Sequence, residues 1–202
     1  MKITTKAQYI NNVGNVNLFP HTIIGDACIL YEYDGELLTY EMMNALGMKT
    51  GELKKAAKDN NRHDVPMVAN LEHVILSLSN PSDLERIPVG ADRKLSKFNT
   101  YVLSNSINTY GASKVFDIDT LRWIGNALDD DFFILPSSVH EVLIQGASLI
   151  ENKFELVDMV QQINATELKT EELLSQGVFE FLRAENKLYW FDNNTDRMEC
   201  LL

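Results

Sequence analysis

At 202 residues the chain has room for one large domain or two small ones, and its 45 % apolar share is that of a globular rather than a disordered protein. No apolar run approaches the roughly 20 residues of a membrane helix, and MKITTKAQYINN has lysines with no apolar signal core behind them, so neither a membrane span nor export is expected. The net charge of −11 is unevenly placed: residues 1–100 carry 11 Lys and Arg against 12 Asp and Glu, residues 101–202 carry 7 against 17. A half that acidic favours solubility, repels phosphate backbones and attracts basic protein surfaces.

In chain order, residues 1–20 are polar and weakly patterned. They read as an arm with one edge strand near Lys2–Tyr9. DACILYEYD (26–34) is rich in β-branched and aromatic residues and closes on Asp34-Gly35, so it reads as a strand. Thr39 is placed to cap a short helix that stops at Gly47, and Thr50 a second helix through GELKKAAKDN. Met67, Val68, Leu71, Val74, Ile75 and Leu78 then repeat at helical spacing, which predicts a helix from Pro66. From Ser79 to Asn99 the chain is broken by Asn80-Pro81, Pro88 and Gly90, a loop long enough to be a hinge or boundary.

The second half is denser. TYVLS (100–104) and ASKVF (112–116) read as strands, and Asp117 caps a helix bearing Ile118, Leu121, Ile124 and Leu128 on one face. FFIL (132–135) and SVHEVLIQ (138–145) read as strands around Pro136-Ser137. Phe154, Val157, Val160 and Ile163 mark a further helix, Thr170 caps a short one, and GVFEFLR (177–183) with KLYWF (187–191) form a hairpin. Neighbouring strands with helices in blocks predict an α+β fold, a largely antiparallel sheet with helices packed on one face. The expected division is an arm (1–20), a mixed strand–helix subdomain (21–79), a loop or hinge (80–99) and an α+β core (100–202).

The segments YVLSN (101–105), YGASKVF (110–116), DFFILPSSVHEVLI (131–144), MVQQINATEL (159–168) and EELLSQGVF (171–179) carry a resemblance in order and spacing. They resemble a bacterial family known as domain of unknown function 5688. A looser match, through DACILYEYD and residues 37–60, extends the similarity over roughly residues 19–192. The usual Tyr-Pro-Gly of that family is Asp117-Ile118-Asp119 here, and its members are often longer at the N-terminus. The resemblance implies a bacterial protein, often borne on mobile elements, and assigns no activity and no catalytic residue.

Pro136, Ser137, Ser138, His140 and Glu141 use the vocabulary of nucleophilic catalysis. On a strand, alternation turns His140 and Glu141 to opposite faces and holds Ser138 and His140 roughly 6–7 Å apart, so a turn is the better reading. The zinc-protease pattern would need a second histidine where Ile144 stands, and His21, His63 and His73 are scattered, so no metal or cofactor is expected. Cys28 and Cys200 lack metal spacing and read as reduced thiols of a cytoplasmic protein. Asp129, Asp130 and Asp131 end a helix where its dipole disfavours acids, which makes them candidates for a basic partner. Glu171, Glu172 and Trp190 join them as tentative protein-binding residues. The Lys49–Arg62 stripe, with Lys54, Lys55 and Lys58, reads as a solvated helix face rather than a nucleic-acid contact.

These readings favour a non-enzymatic protein-interaction module that binds a basic protein surface, with no direct nucleic-acid or membrane contact. One version is an antagonist of a host nucleic-acid-binding defence system, acting as an anti-CRISPR protein does. The alternatives are a small hydrolase using Ser138 and His140, and a structural dimerisation domain.

Overall fold

The computed structural model describes residues 2–60 and 64–202. It is an α+β fold built on two antiparallel sheets. Eight strands form the large one: β5 (Pro66–Asn70), β6 (Arg86–Pro88), β7 (Tyr101–Asn105), β8 (Phe132–Pro136), β9 (Val142–Gly146), β10 (Val178–Leu182), β11 (Lys187–Phe191) and β12 (Met198–Cys200). Their spatial order is β12-β11-β10-β8-β9-β7-β5-β6.

The central strand β8 is buried at all five residues because both faces of the large sheet are covered. Alternation sends Phe132 and Ile134 one way, into a cluster with Phe179, Phe181, Ile144 and Leu121. Phe133 and Leu135 go the other way and join Val157, Val160 and Phe191. Helix α4 (Ile118–Leu128) therefore covers one face and α5 (Lys153–Thr166) the other. FFILP is an unbroken apolar run for this reason, since a strand with two dry faces has no polar side to alternate. Burying the fully enclosed Phe132 contributes about 2–3 kcal/mol.

The small sheet holds β1 (Ile3–Tyr9), β2 (His21–Ile24), β3 (Ala27–Tyr33) and β4 (Glu36–Leu37). β1 pairs with β3 along all seven of its residues, and Ile3 and Ala7 are fully buried. At one end the inward face of this sheet packs on α1 (Tyr40–Ala45) and α2 (Thr50–Asn60) through Ile3, Tyr31, Met43, Leu53 and Ala57. At the other end Ala7, Ile24 and Ala27 enter the main core. Thr39 caps α1, accepting from Met42 N at 3.1 Å, and the chain leaves at Gly47 with φ +66°.

Helices cover both faces of the large sheet rather than the one expected, and four segments also differ from the sequence expectation. Residues 66–78 are not one helix: β5 runs to Asn70, whose side chain then caps α3 (Leu71–Ser77) by accepting from Glu72 N at 2.8 Å. Val68 and Ala69 pair with Leu103 and Val102 of β7, so cross-strand pairing outweighs the helical spacing there. ASKVF is a 3-10 turn (Gly111–Phe116), all of it buried. SVHEVLIQ becomes a strand only from Val142, which leaves Ser138 and His140 in a turn. The loop from Ser79 to Asn99 contains β6, and the strands that flank it, β5 and β7, lie side by side.

The sheets are joined at the β2–β3 turn. Gly25 has φ +62°, and a Cβ there would lie 2.4 Å from the Trp190 ring. Beside it the Asp26 carboxylate accepts from Gln176 N at 2.7 Å and from the Ser175 hydroxyl, which also accepts from Trp190 Nε1 at 3.2 Å. Burial raises the Asp26 carboxyl above its usual value, against the lowering effect of the bonds from Ser175 and Gln176.

The fold therefore holds the Asp26 proton more tightly than the unfolded chain does. That contribution is complete below the unfolded carboxyl value of about 3.9 and is lost as pH rises through the higher folded value. Asp26→Asn, which cannot titrate, should gain stability relative to wild type as pH is raised from about 4 to 7. Urea midpoints for both proteins across that range check this; parallel profiles would contradict it.

Candidate functional site

The turn Pro136–Glu141 brings together segments distant in sequence. Ser138 N donates to Glu141 O at 3.1 Å, and His140 N donates to Ser138 Oγ at 3.0 Å. Ser138 is thus bonded to the backbone of His140 and not to its ring. Ser104 Oγ donates to His140 O at 2.8 Å, Ala112 N to Val139 O at 3.4 Å, and Val139 N to Glu172 O at 2.9 Å. Tyr110 N donates to His140 Nδ1 at 3.1 Å, which puts the proton of the neutral ring on Nε2.

Tyr110 sits in the left-handed region at φ +52°, an uncommon place for an aromatic residue that costs of order 1 kcal/mol. Its ring lies 5.1 Å from the His140 ring, and Lys6 Nζ is 4.3 Å above it. These contacts and the bond to Nδ1 hold the strained residue in place. Gly111 follows: a Cβ there would lie 2.4 Å from Asn105 N and Ser104 Oγ and 2.9 Å from His140 O. Among the described residues no carboxylate pairs with His140, and neither Ser138 nor His140 lines either of the two clefts described below. Ser137 and Glu141 are half-buried in the same turn, whose job is to join chain segments.

The 3-10 turn after Gly111 faces the first cleft. Lys114 Nζ bonds Asp64 Oδ2 at 2.8 Å with its side chain 8 % exposed, and Asn105 Nδ2 donates to the same oxygen at 3.2 Å. Asp64 Oδ1 is buried and has no hydrogen-bond partner among the described residues. The cleft beside this pair has a volume of about 590 Å³. One wall is a single face of the small sheet, carrying Thr22, Ile24, Ile29 and Tyr31, since Thr22 registers with Ile29 and Ile24 with Ala27. The other walls are α2 and the start of α4. Lys54, Lys55 and Lys58 line it from α2, so the basic stripe is a cleft wall as well as a solvated face. Arg62 and His63 lie outside the described residues.

A second, shallow groove lies between α3 and the segment before β7, lined by Leu71, Ile75, Leu76 and Phe98. Its side chains face solvent: Ile75 is 57 % exposed, Leu76 51 % and Phe98 71 %, with Leu78 nearby in sequence at 83 %. The helical apolar spacing is visible in the sequence, but spacing alone does not say whether the face is covered. No sequence signal marked Phe98.

The tentative protein-binding residues are dispersed and largely committed. Asp129 binds Arg183 Nη1 at 2.6 Å, Asp130 accepts from Ser148 N at 3.1 Å, and Asp131 accepts from Arg183 N at 2.7 Å. The acidic run is therefore a bonded corner at the end of α4, with Asp129 left-handed at φ +55°. Glu172 reaches back to Lys169 N at 3.4 Å, whereas Glu171 is exposed. Trp190 is only 7 % exposed and packs on the Gly25 turn, so it presents no ring to a partner. Cys28 and Cys200 are buried free thiols pushed up to about 11 and about 12 by desolvation, hence protonated and poor nucleophiles at neutral pH. No three His, Cys, Asp or Glu side chains converge as metal ligands among the described residues, and no described helix is long and apolar enough to cross a membrane.

Comparison with known families matches residues 22–183 to DUF5688, a family of unknown function. The chain belongs to that family. No curated protein and no solved structure matches it. Within this DUF5688 chain, the quoted segments YVLSN, YGASKVF and FILPSSVHEV meet at the Ser104–Gly111–His140 contact, and EELLSQGVF joins them through Glu172.

Two substitutions test this geometry. Gly111→Ala forces a Cβ against backbone and should cost about 2 kcal/mol, read by chemical denaturation. Lys114→Met strands the Asp64 carboxylate and should also cost about 2 kcal/mol; adding Asp64→Leu should recover most of that loss, because a pair replaced by apolar groups leaves no buried charge behind.

Proposed function

We infer that this protein is a non-enzymatic interaction module that docks on a basic protein surface. The observation that carries the reading is the exposed apolar patch on α3 and Phe98. A contiguous set of large exposed aliphatic and aromatic side chains beside a shallow groove is what interaction surfaces present, and aromatic residues anchor such contacts. The acidic second half supplies the sign of the partner. After the internal pairs are formed, Glu151, Glu155, Glu167 and Glu171 remain exposed along and beyond α5. Such charge steers a cationic partner, while the apolar patch supplies the desolvated contact. The cationic channel of a nucleic-acid-binding protein of a host defence system is one such surface. The serine and histidine of the signature turn support no competing hydrolase reading, since each is engaged by backbone.

Ile75→Ser with Phe98→Ser should shift stability by no more than about 0.5 kcal/mol per site, because both are exposed. The same pair should abolish capture of the partner from bacterial lysate, and raising salt should weaken capture by the wild type. A captured protein indifferent to both the patch and salt would overturn the reading.

A further inference from the structure

The cleft between the small sheet and α2 is separate from the α3 patch, and its chemistry selects a different kind of ligand. Its volume of about 590 Å³ falls within the range of small-molecule sites, about 300–1,000 Å³. Ile24, Ile29, Phe116 and Ile118 give it an apolar lining. Tyr31 reaches it from the small sheet, where its hydroxyl adds a polar group to the lining. A phenol hydroxyl at a cleft wall can donate to an acceptor on a bound molecule.

The charges at the mouth are of two kinds. Lys58 is committed to Asp119 at 3.1 Å and Lys114 to Asp64 at 2.8 Å. Lys54 and Lys55 are exposed on α2 and have no carboxylate partner among the described residues. Among the described residues four lysines line the cleft beside three aspartates and Leu202, a local concentration of cations in a protein whose net charge is −11.

We propose that this cleft binds a small amphipathic carboxylate, with its apolar body against Ile24, Ile29 and Phe116 and its head between the Lys54/Lys55 pair and the Tyr31 hydroxyl. The site is independent of the α3 patch, so either reading can fail without the other.

Decanoate and 4-phenylbutyrate, titrated into the full chain by calorimetry and methyl NMR, test it. Binding of at least one should move the Ile24 and Ile29 methyl signals. Lys54→Glu with Lys55→Glu should weaken that binding about tenfold without lowering the melting temperature, since both side chains are exposed. Tyr31→Phe should weaken it about fivefold, the loss of one hydrogen bond to a charged acceptor. Decanol should bind at least about tenfold more weakly than decanoate. Failure of both acids to bind the folded protein, equal affinity for decanol, an unchanged affinity in the lysine variant, or methyl shifts confined to Ile75 would each overturn the proposal.

Discussion

Asp26 locks the two sheets together. Its carboxylate is buried between Gln176 N and the Ser175 hydroxyl, and the neighbouring glycine lets the turn close onto the Trp190 ring. Burial of an acid opposes folding unless its oxygens are bonded, so the joint is specific as well as tight. The rest of the arrangement depends on it. With the small sheet fixed at this corner, its inward face is shared between the main core and α2, and the unfilled space between them is the cleft.

The signature turn has a related role on the other side of the same segment. It consumes its own hydroxyl, imidazole nitrogen and carbonyls in holding residues 104–112 and 172. That positions Lys114 against Asp64, since Gly111 has no room to move and the 3-10 turn that follows is buried. A motif that looks catalytic by letter is thus a structural hub, and its neighbours shape a binding cleft. The large sheet itself ends in two three-residue strands, one closed by Pro88, which offer little length for pairing with another edge.

Much of the secondary structure was legible from local chemistry. Thr39 capping, the Gly47 stop, the α4 stripe of Leu121 and Ile124, and the β10–β11 hairpin all follow from local rules. The expectations that failed did so where long-range pairing competes with a local pattern. Met67 and Val68 fit a helical stripe, yet β7 offered them a ladder; ASKVF has strand composition, yet the close approach at Gly111 allows only a tight turn. The cleft could not be read because its walls come from residues near 24, 55 and 116, brought together only by the Asp26 joint. The internal bonds of the acidic run could not be read for a related reason, as Arg183 and Ser148 arrive from distant segments to bond Asp129 and Asp130.

Sequence alone determined the α+β class, the antiparallel pairing of neighbouring strands, the family, and the charge asymmetry. These depend on periodicity, turn chemistry and composition, which act over a few residues or over the whole chain without regard to geometry. Tertiary structure alone decided which apolar helix face is left bare, which acids are already bonded, and where a cleft opens beside lysines. Exposure and pairing are properties of what arrives from elsewhere, so Ile75 and Phe133 are equally apolar as letters while one faces solvent and the other fills the core.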